Sequence, residues 1–237
     1  MTVTNNMNVL IIQVGNTSIK WATFHGQLLI EAGRAFELND AELLKKHQDF
    51  NSVFFSCEAS EDLKMKFQLA YPKAQEIPDN LYPEHEYHVG KPGYDRLANV
   101  AAASEHFPNQ TCILVDFGTC ITYTICQNNK LVKGAISPGV YLRYKAMNEG
   151  TGKLPFIQNE LNFSKHFGQN TNENLIAGVS FGILNEINGF LELATRDFEN
   201  LQIVFTGADA AFFEKHLQYP IFVEENLTLR GLRKIIS

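Results

Sequence analysis

The sequence predicts an α/β chain built from two related halves, and three observations carry that prediction. A β-branched apolar run, Val9-Leu10-Ile11-Ile12, leads into a tight Gly15-Asn16-Thr17 turn. The same pattern returns at Cys112-Ile113-Leu114-Val115, followed by Asp116-Phe117-Gly118-Thr119. Each copy continues into a strand that alternates apolar and polar residues, and then into segments of helical composition. Gln13 and Asp116 occupy equivalent places, so the repeat has the scale of half a chain and not of a solenoid unit.

The elements follow in order. Ile19-Lys20-Trp21-Ala22-Thr23-Phe24 reads as a second strand, His25-Gly26-Gln27 as a turn and Leu28-Leu29-Ile30 as the start of a third strand. The chain thus opens on a β-meander. Asp40 to His47 reads as a short capped helix, Ser52 to Ser56 as a strand, and Glu61 to Leu69 and Asp95 to His106 as helices. In the second copy, Ile121 to Ile125 and Leu131 to Ile136 are strands around an Asn128-Asn129 turn. Helices are expected near Tyr141 to Asn148 and from Asn172 to Thr195, and a last strand at Leu201 to Phe205 ends in Thr206-Gly207-Ala208-Asp209. No linker of Pro, Gly and Ser separates the halves, which are expected at 1–111 and 112–237 with a cleft between them.

Composition narrows the function. The 237 residues, 45% of them hydrophobic, suffice for a core without disulfide or metal staples. A net charge of −6 with no Lys or Arg run argues against nucleic acid or an anionic membrane as partner. The four cysteines, Cys57, Cys112, Cys120 and Cys126, form no CxxC pair and read as reduced, packed residues. Met1 to Asn8 carries no positive charge, and the apolar run after it is too short for a signal peptide or a membrane span. A cytoplasmic location is expected. Trp21 and the 18 Phe read as core, and the seven His show no metal-ligand spacing.

Strand-Gly-x-Thr turns suit phosphates. Glycine lets the backbone approach, freed N–H groups point at the oxygens, and a Thr hydroxyl adds a hydrogen bond. One such turn is an ordinary hairpin; two with matched flanking strands point to a phosphate clamp. Asp116, at a strand end before its turn, can hold a cation or act as a turn cap. Gln13, in the equivalent place, carries no charge. Asp95 precedes an apolar helix and reads either as its N-cap or as a general base beside Arg96. Ser137-Pro138-Gly139 is a turn on either reading, and Thr206-Gly207-Ala208 is either a strand-to-helix turn or a nucleotide contact.

Gly15-Asn16-Thr17, Gly93-x-Asp95-Arg96, Asp116-x-Gly118-Thr119, Ser137-Pro138-Gly139, Thr206-Gly207 and the tail Asn226 to Leu232 stand in the order and approximate spacing of one family. The chain resembles the type III pantothenate kinases from about residue 9 to 232. The resemblance implies an actin-like ATPase fold with two ribonuclease-H-like halves. It implies ATP-dependent phosphorylation of pantothenate, the first step of coenzyme A synthesis, by a homodimer that uses a divalent cation such as Mg²⁺ and a monovalent one, K⁺ or NH₄⁺. By position in the family, Gln13, Val14, Gly15, Asn16, Thr17, Ser18, Ile19 and Lys20 would line the ATP phosphates together with Thr119. Asp116 would bind the monovalent cation, and Asp95 would accept the proton. Tyr87, Gly93, Tyr94, Asp95, Arg96 and Thr171 would contact pantothenate. The family carries Asp where this chain has Gln13, which leaves open a binding or regulatory protein with impaired turnover. A kinase for another small hydroxyl compound is the remaining alternative.

Overall fold

The computed structural model describes residues 7–237, so the reading of the segment before Met7 lies outside the described residues. The chain divides into two compact units. One comprises residues 7–110, 126–133 and 226–237; the other comprises 111–125 and 134–225. A hairpin tip and the C-terminal helix return to the first unit.

The first unit is built on a five-stranded sheet. Strands β1 (Asn8–Val14), β2 (Ile19–His25) and β3 (Leu28–Ala35) form the meander, and β4 (Ser52–Cys57) and β5 (Gln75–Glu76) extend the sheet on the other side of β1. β1 pairs antiparallel with β2, which places Gln13 opposite Lys20, and parallel with β4, which places Gln13 beside Ser56. Val9, Leu10, Ile11 and Ile12 are fully buried. A continuous apolar run, not an alternating one, is what a strand covered on both faces requires. Each such side chain contributes roughly 1.5–3 kcal/mol.

Helix α1 (Ala41–Asp49) is capped by Asp40, whose side chain accepts the Leu43 N–H at 2.9 Å. Ser60 caps α2 (Glu61–Ala70) in the same way. α3 (Tyr94–His106) is the central helix of this unit, buried from Arg96 through Ala103. α7 (Leu227–Ile235) packs on it. Their contact is close enough that a Cβ on Gly231 would lie 1.8 Å from the Ala98 carbonyl oxygen. The buried Thr228 hydroxyl donates to Asn99 Oδ1 at 2.8 Å, and the fully buried Arg233 donates from Nε to the Gly26 carbonyl at 2.8 Å.

The second unit repeats the sheet. β6 (Cys112–Phe117), β7 (Cys120–Gln127) and β8 (Lys130–Pro138) correspond to the meander, and β9 (Gln202–Gly207) and β10 (Ile221–Val223) to β4 and β5. β9 is parallel to β6 and β10 is parallel to β9, as β4 and β5 are in the first sheet. Helices α4 (Val140–Gly150) and α5 (Thr171–Asp197) stand between β8 and β9, and α6 (Ala210–Glu214) stands between β9 and β10. α5 buries Leu175, Val179, Ile183, Ile187 and Leu191, a stripe at helical spacing, against a core that includes Phe117, Phe205 and Phe213. Trp21 is buried as expected, but Phe36 and Phe167 are 74% and 89% exposed, so not every Phe belongs to the core.

Replacing Gly231 with Ala should lower stability by about 3 kcal/mol, because the new methyl group meets backbone and not a side chain that can turn aside. Thermal or urea unfolding of the variant checks this.

Candidate active site

The two strand-turn motifs differ in length. β1 and β2 are joined by the four residues 15–18, closed by a hydrogen bond from the Gly15 N–H to the Ser18 carbonyl at 3.0 Å. β6 and β7 are joined by Gly118 and Thr119 alone, with the Gly118 N–H donating to the Cys120 carbonyl at 3.1 Å. The first turn leaves Asn16 and Thr17 exposed. The second is held from behind by two glycines. A Cβ on Gly139 would lie 2.4 Å from the Gly118 carbonyl oxygen, and the Gly139 N–H donates to the Thr119 carbonyl at 3.0 Å. Gly207, at φ +93°, would bring a Cβ to 2.5 Å from the Phe117 carbonyl oxygen. Ser137-Pro138-Gly139 and Thr206-Gly207 thus serve to shape the Gly118-Thr119 turn.

The residues before the turns are buried oxygen donors. Gln13 is 7% exposed, beside the buried Ser56 in the sheet, and its Oε1 has no hydrogen-bond partner. Asp116 is equally buried at the end of β6, in register with Thr206 of β9. An unpartnered buried oxygen such as Gln13 Oε1 carries a desolvation cost of about 1–3 kcal/mol unless a ligand or water meets it. Among the described residues no group of three or more His, Cys, Asp or Glu could hold a metal ion.

Asp95 is not the N-cap of α3. The helix begins at Tyr94 with Gly93 as its cap residue, and Gly93 has no side chain to satisfy the first N–H groups. Asp95 Oδ1 accepts the Arg96 N–H at 2.7 Å. Glu58, just beyond the end of β4, supplies the missing cap from outside the helix, its Oε1 accepting the Asp95 N–H at 3.0 Å. The Arg96 side chain is buried and donates from Nη1 to the Tyr87 hydroxyl at 2.7 Å, with the guanidinium over the Tyr87 ring. Tyr87, Gly93, Asp95 and Arg96 are therefore gathered at one end of α3. Tyr94 turns toward Asp79, to which its hydroxyl donates at 2.5 Å; it lines a cavity of about 420 Å³ with Tyr82, His85, Lys91 and Leu97. Thr171 and Thr119 lie in the second unit, Thr171 at the start of α5 beside the Asn170 cap.

Sequence reasoning missed Glu58. Its signal is topological: β4 runs parallel to β1, so the residues past its end lie beside the β1 turn. Burial, and then the charge of Asp95, push the Glu58 carboxyl up to about 8. A second missed cluster surrounds Glu186 of α5, whose carboxylate accepts from Tyr123, Ser137 and Arg143. Those hydrogen bonds outweigh burial and hold it below the usual range.

The type III pantothenate kinase family model matches residues 59–193. A type III pantothenate kinase of Flavobacterium johnsoniae is 34% identical over 94% of this chain and 95% of its own length. The chain belongs to the type III pantothenate kinase family. Another member, from Bacteroides fragilis, is 36% identical, covering 96% of this chain and 97% of its own. Among solved structures, a Campylobacter jejuni protein assigned to the Baf family of transcriptional activators superposes with a TM-score of 0.64 at 20% identity, covering 96% of both chains. The ADPNP-bound activator of 2-hydroxyisocaproyl-CoA dehydratase from Clostridium difficile gives 0.55 at 13% identity, covering 96% of this chain and 93% of its own. The repeated sheet is that of the actin-like ATPase fold.

Since the folded protein holds a proton on Glu58 that an unfolded chain releases near 4.5, this group's contribution to stability is complete below pH 4.5. It is lost as pH rises toward 8. Unfolding measured across that range should show wild type losing more stability than Glu58→Gln, since the difference cancels groups common to both.

Proposed function

We propose that this chain is an ATP-dependent pantothenate kinase, transferring the γ-phosphate of ATP to the pantothenate hydroxyl to give 4'-phosphopantothenate. The observation that carries the reading is Asp95 at the start of α3, next to a buried Arg96 seated on Tyr87. It sits in a chain related to type III pantothenate kinases over almost its whole length.

Asp95 accepts the hydroxyl proton while the new O–P bond forms and the bond from the γ-phosphorus to the ADP oxygen breaks. The N-terminus of α3 favours its ionised form. Gly93, Tyr94, Arg96 and Tyr87 bind and orient pantothenate. Backbone N–H groups of the turn from Gly15 to Ser18, with Gln13, Val14, Ile19 and Lys20, hold the nucleotide phosphates.

A divalent cation fits Gln13 as one neutral oxygen donor in a set otherwise made of phosphate oxygens and water, the habit of Mg²⁺. When bound it neutralises charge on the transferring phosphate. Asp116 suits a monovalent cation, K⁺ or NH₄⁺, because one carboxylate balances one positive charge. The enzyme works as a cytoplasmic homodimer. Among the described residues no helix is long and apolar enough to cross a membrane.

ATP consumption by the purified protein with Mg²⁺ and K⁺ should depend on pantothenate, and Asp95→Asn should lower kcat at least about 100-fold with folding intact. Binding of pantothenate by the folded wild type without turnover would instead favour the regulatory reading suggested by Gln13. Asp116→Asn should raise the K⁺ concentration for half-maximal rate about tenfold or more, the equivalent of about 1.4 kcal/mol.

A further inference from the structure

We infer that Glu58 is a positioning residue that ties the start of α3, and with it Asp95, to the turn after β1. The inference rests on the reading of Asp95 as the proton acceptor. Three contacts converge on this one residue. Its own N–H donates to the Val14 carbonyl at 2.9 Å, which anchors it to the last residue of β1. Its carbonyl accepts the Asn16 side-chain amide at 3.3 Å, which fixes the exposed turn. Its carboxyl accepts the Asp95 N–H at 3.0 Å in the place where Gly93 offers no cap.

The crowding is measurable at Gly93. A Cβ there would lie 2.5 Å from Asp95 Oδ1 and 3.1 Å from Glu58 Oε2, so the two carboxyl groups close over the same Cα. Two negative charges at that spacing repel strongly in a half-buried site. The arrangement is stable with one proton on the pair. The groups that face Glu58 are Asp95 and Tyr94 from α3, Ser56 and Cys57 from β4, and Tyr82 from the following loop. Lys64 of α2 and Glu76 of β5 stand near Cys57 and pair with each other at 2.5 Å. Burial pushes the Tyr82 hydroxyl and the Cys57 thiol up, and the bond to Asp79 does the same for Tyr94. Glu58 itself titrates at about 8.

Two consequences follow for catalysis. Below that pH, Glu58 is neutral and Asp95 keeps its place at the helix start. Above it, a second negative charge forces the two carboxyl groups apart and moves Asp95 off the hydroxyl it serves. Displacement of a base by about 1 Å costs on the order of 100-fold in rate.

The experiment is a pH–kcat profile from pH 6 to 10 for wild type, Glu58→Gln, Glu58→Ala and Asp95→Asn, with KM for ATP and pantothenate at each point. Wild type should lose rate as pH passes about 8. Glu58→Gln keeps the length and polarity without the charge. It should lose less than about fivefold at pH 7, and its alkaline fall should disappear. Glu58→Ala leaves the α3 N–H groups uncapped and should lower kcat by about 10- to 100-fold. A purely structural role for Glu58 would leave the alkaline limb of Glu58→Gln where wild type has it, and that result overturns the inference. So does Glu58→Ala with wild-type kcat, or Glu58→Gln as inactive as Asp95→Asn at pH 7. If Glu58→Ala does not fold, the Glu58→Gln profile decides alone. Full activity in Asp95→Asn overturns the reading of Asp95 itself, and is distinguishable because it does not depend on Glu58.

Discussion

The parallel pairing of β4 with β1 is the constraint on which the first unit depends. Parallel strands end on the same side of a sheet, so whatever follows β4 arrives beside whatever follows β1. Here that brings Ser56 level with Gln13 and carries Glu58 past the strand end, into reach of the Gly15 turn. α3 is then held by the same residue, through the Asp95 N–H. A change in β4 register by one residue would turn Glu58 to the opposite face and leave both the turn and the helix start without a partner. The four buried aliphatic residues of β1 set that register, because sliding the strand would break their packing on both faces.

The two units share a strand order but diverge at the ends of their central strands. The first has neutral Gln13 and a four-residue connection with an exposed tip; the second has Asp116 and a two-residue connection braced by Gly139 and Gly207. A longer exposed turn can fold around a ligand, whereas a short braced turn presents a fixed surface. The proposed division of labour, nucleotide phosphates at the first turn and a cation at the second, draws on that difference. The last helix of the second repeat has left its own sheet: α7 packs on α3 and against β1 and β2 in the first unit. The polar contact of Thr228 with Asn99 is buried there, and a buried polar pair permits few alternative alignments of two helices.

Much of this was legible in the sequence. The duplication, the meander and the helices expected at 61–69 and 172–195, which the structure places at 61–70 and 171–197, follow from periodicity and turn residues, because local pattern and final structure agree there. The return of α7 to the first unit was not legible, since a short amphipathic helix declares a buried face without naming what it is buried against. Of the two readings of Asp95, the structure removes the N-cap, for a related reason. Asp before an apolar run is a good cap by local preference, but the sequence does not show that a carboxyl from β4 already fills that place. Glu58 was missed because its role exists only once two strands and a helix meet. Exposed Phe36 and Phe167 show the same limit from the other side: apolar character alone does not fix burial.

The electrostatic pattern around β1 gives Gln13 a physical rationale. A nucleotide triphosphate carries several negative charges, and each acid near its phosphates must be neutralised by a cation or a proton. In this chain the β1 position is an uncharged amide, the nearby Glu58 holds its proton up to about 8, and Lys20 stands opposite Gln13 across the hairpin. Asp95 is left as the carboxylate assigned to chemistry. An acid at residue 13 would bind a divalent cation more strongly, but it would add a charge two strand positions from a site where Glu58 and Asp95 already share one proton. An amide there lowers the local negative charge that the phosphates meet, and it leaves more of the cation's coordination to phosphate and water, which Mg²⁺ readily accepts. On these grounds Gln13 is compatible with the proposed activity, and its cost is expected in cation affinity before proton transfer.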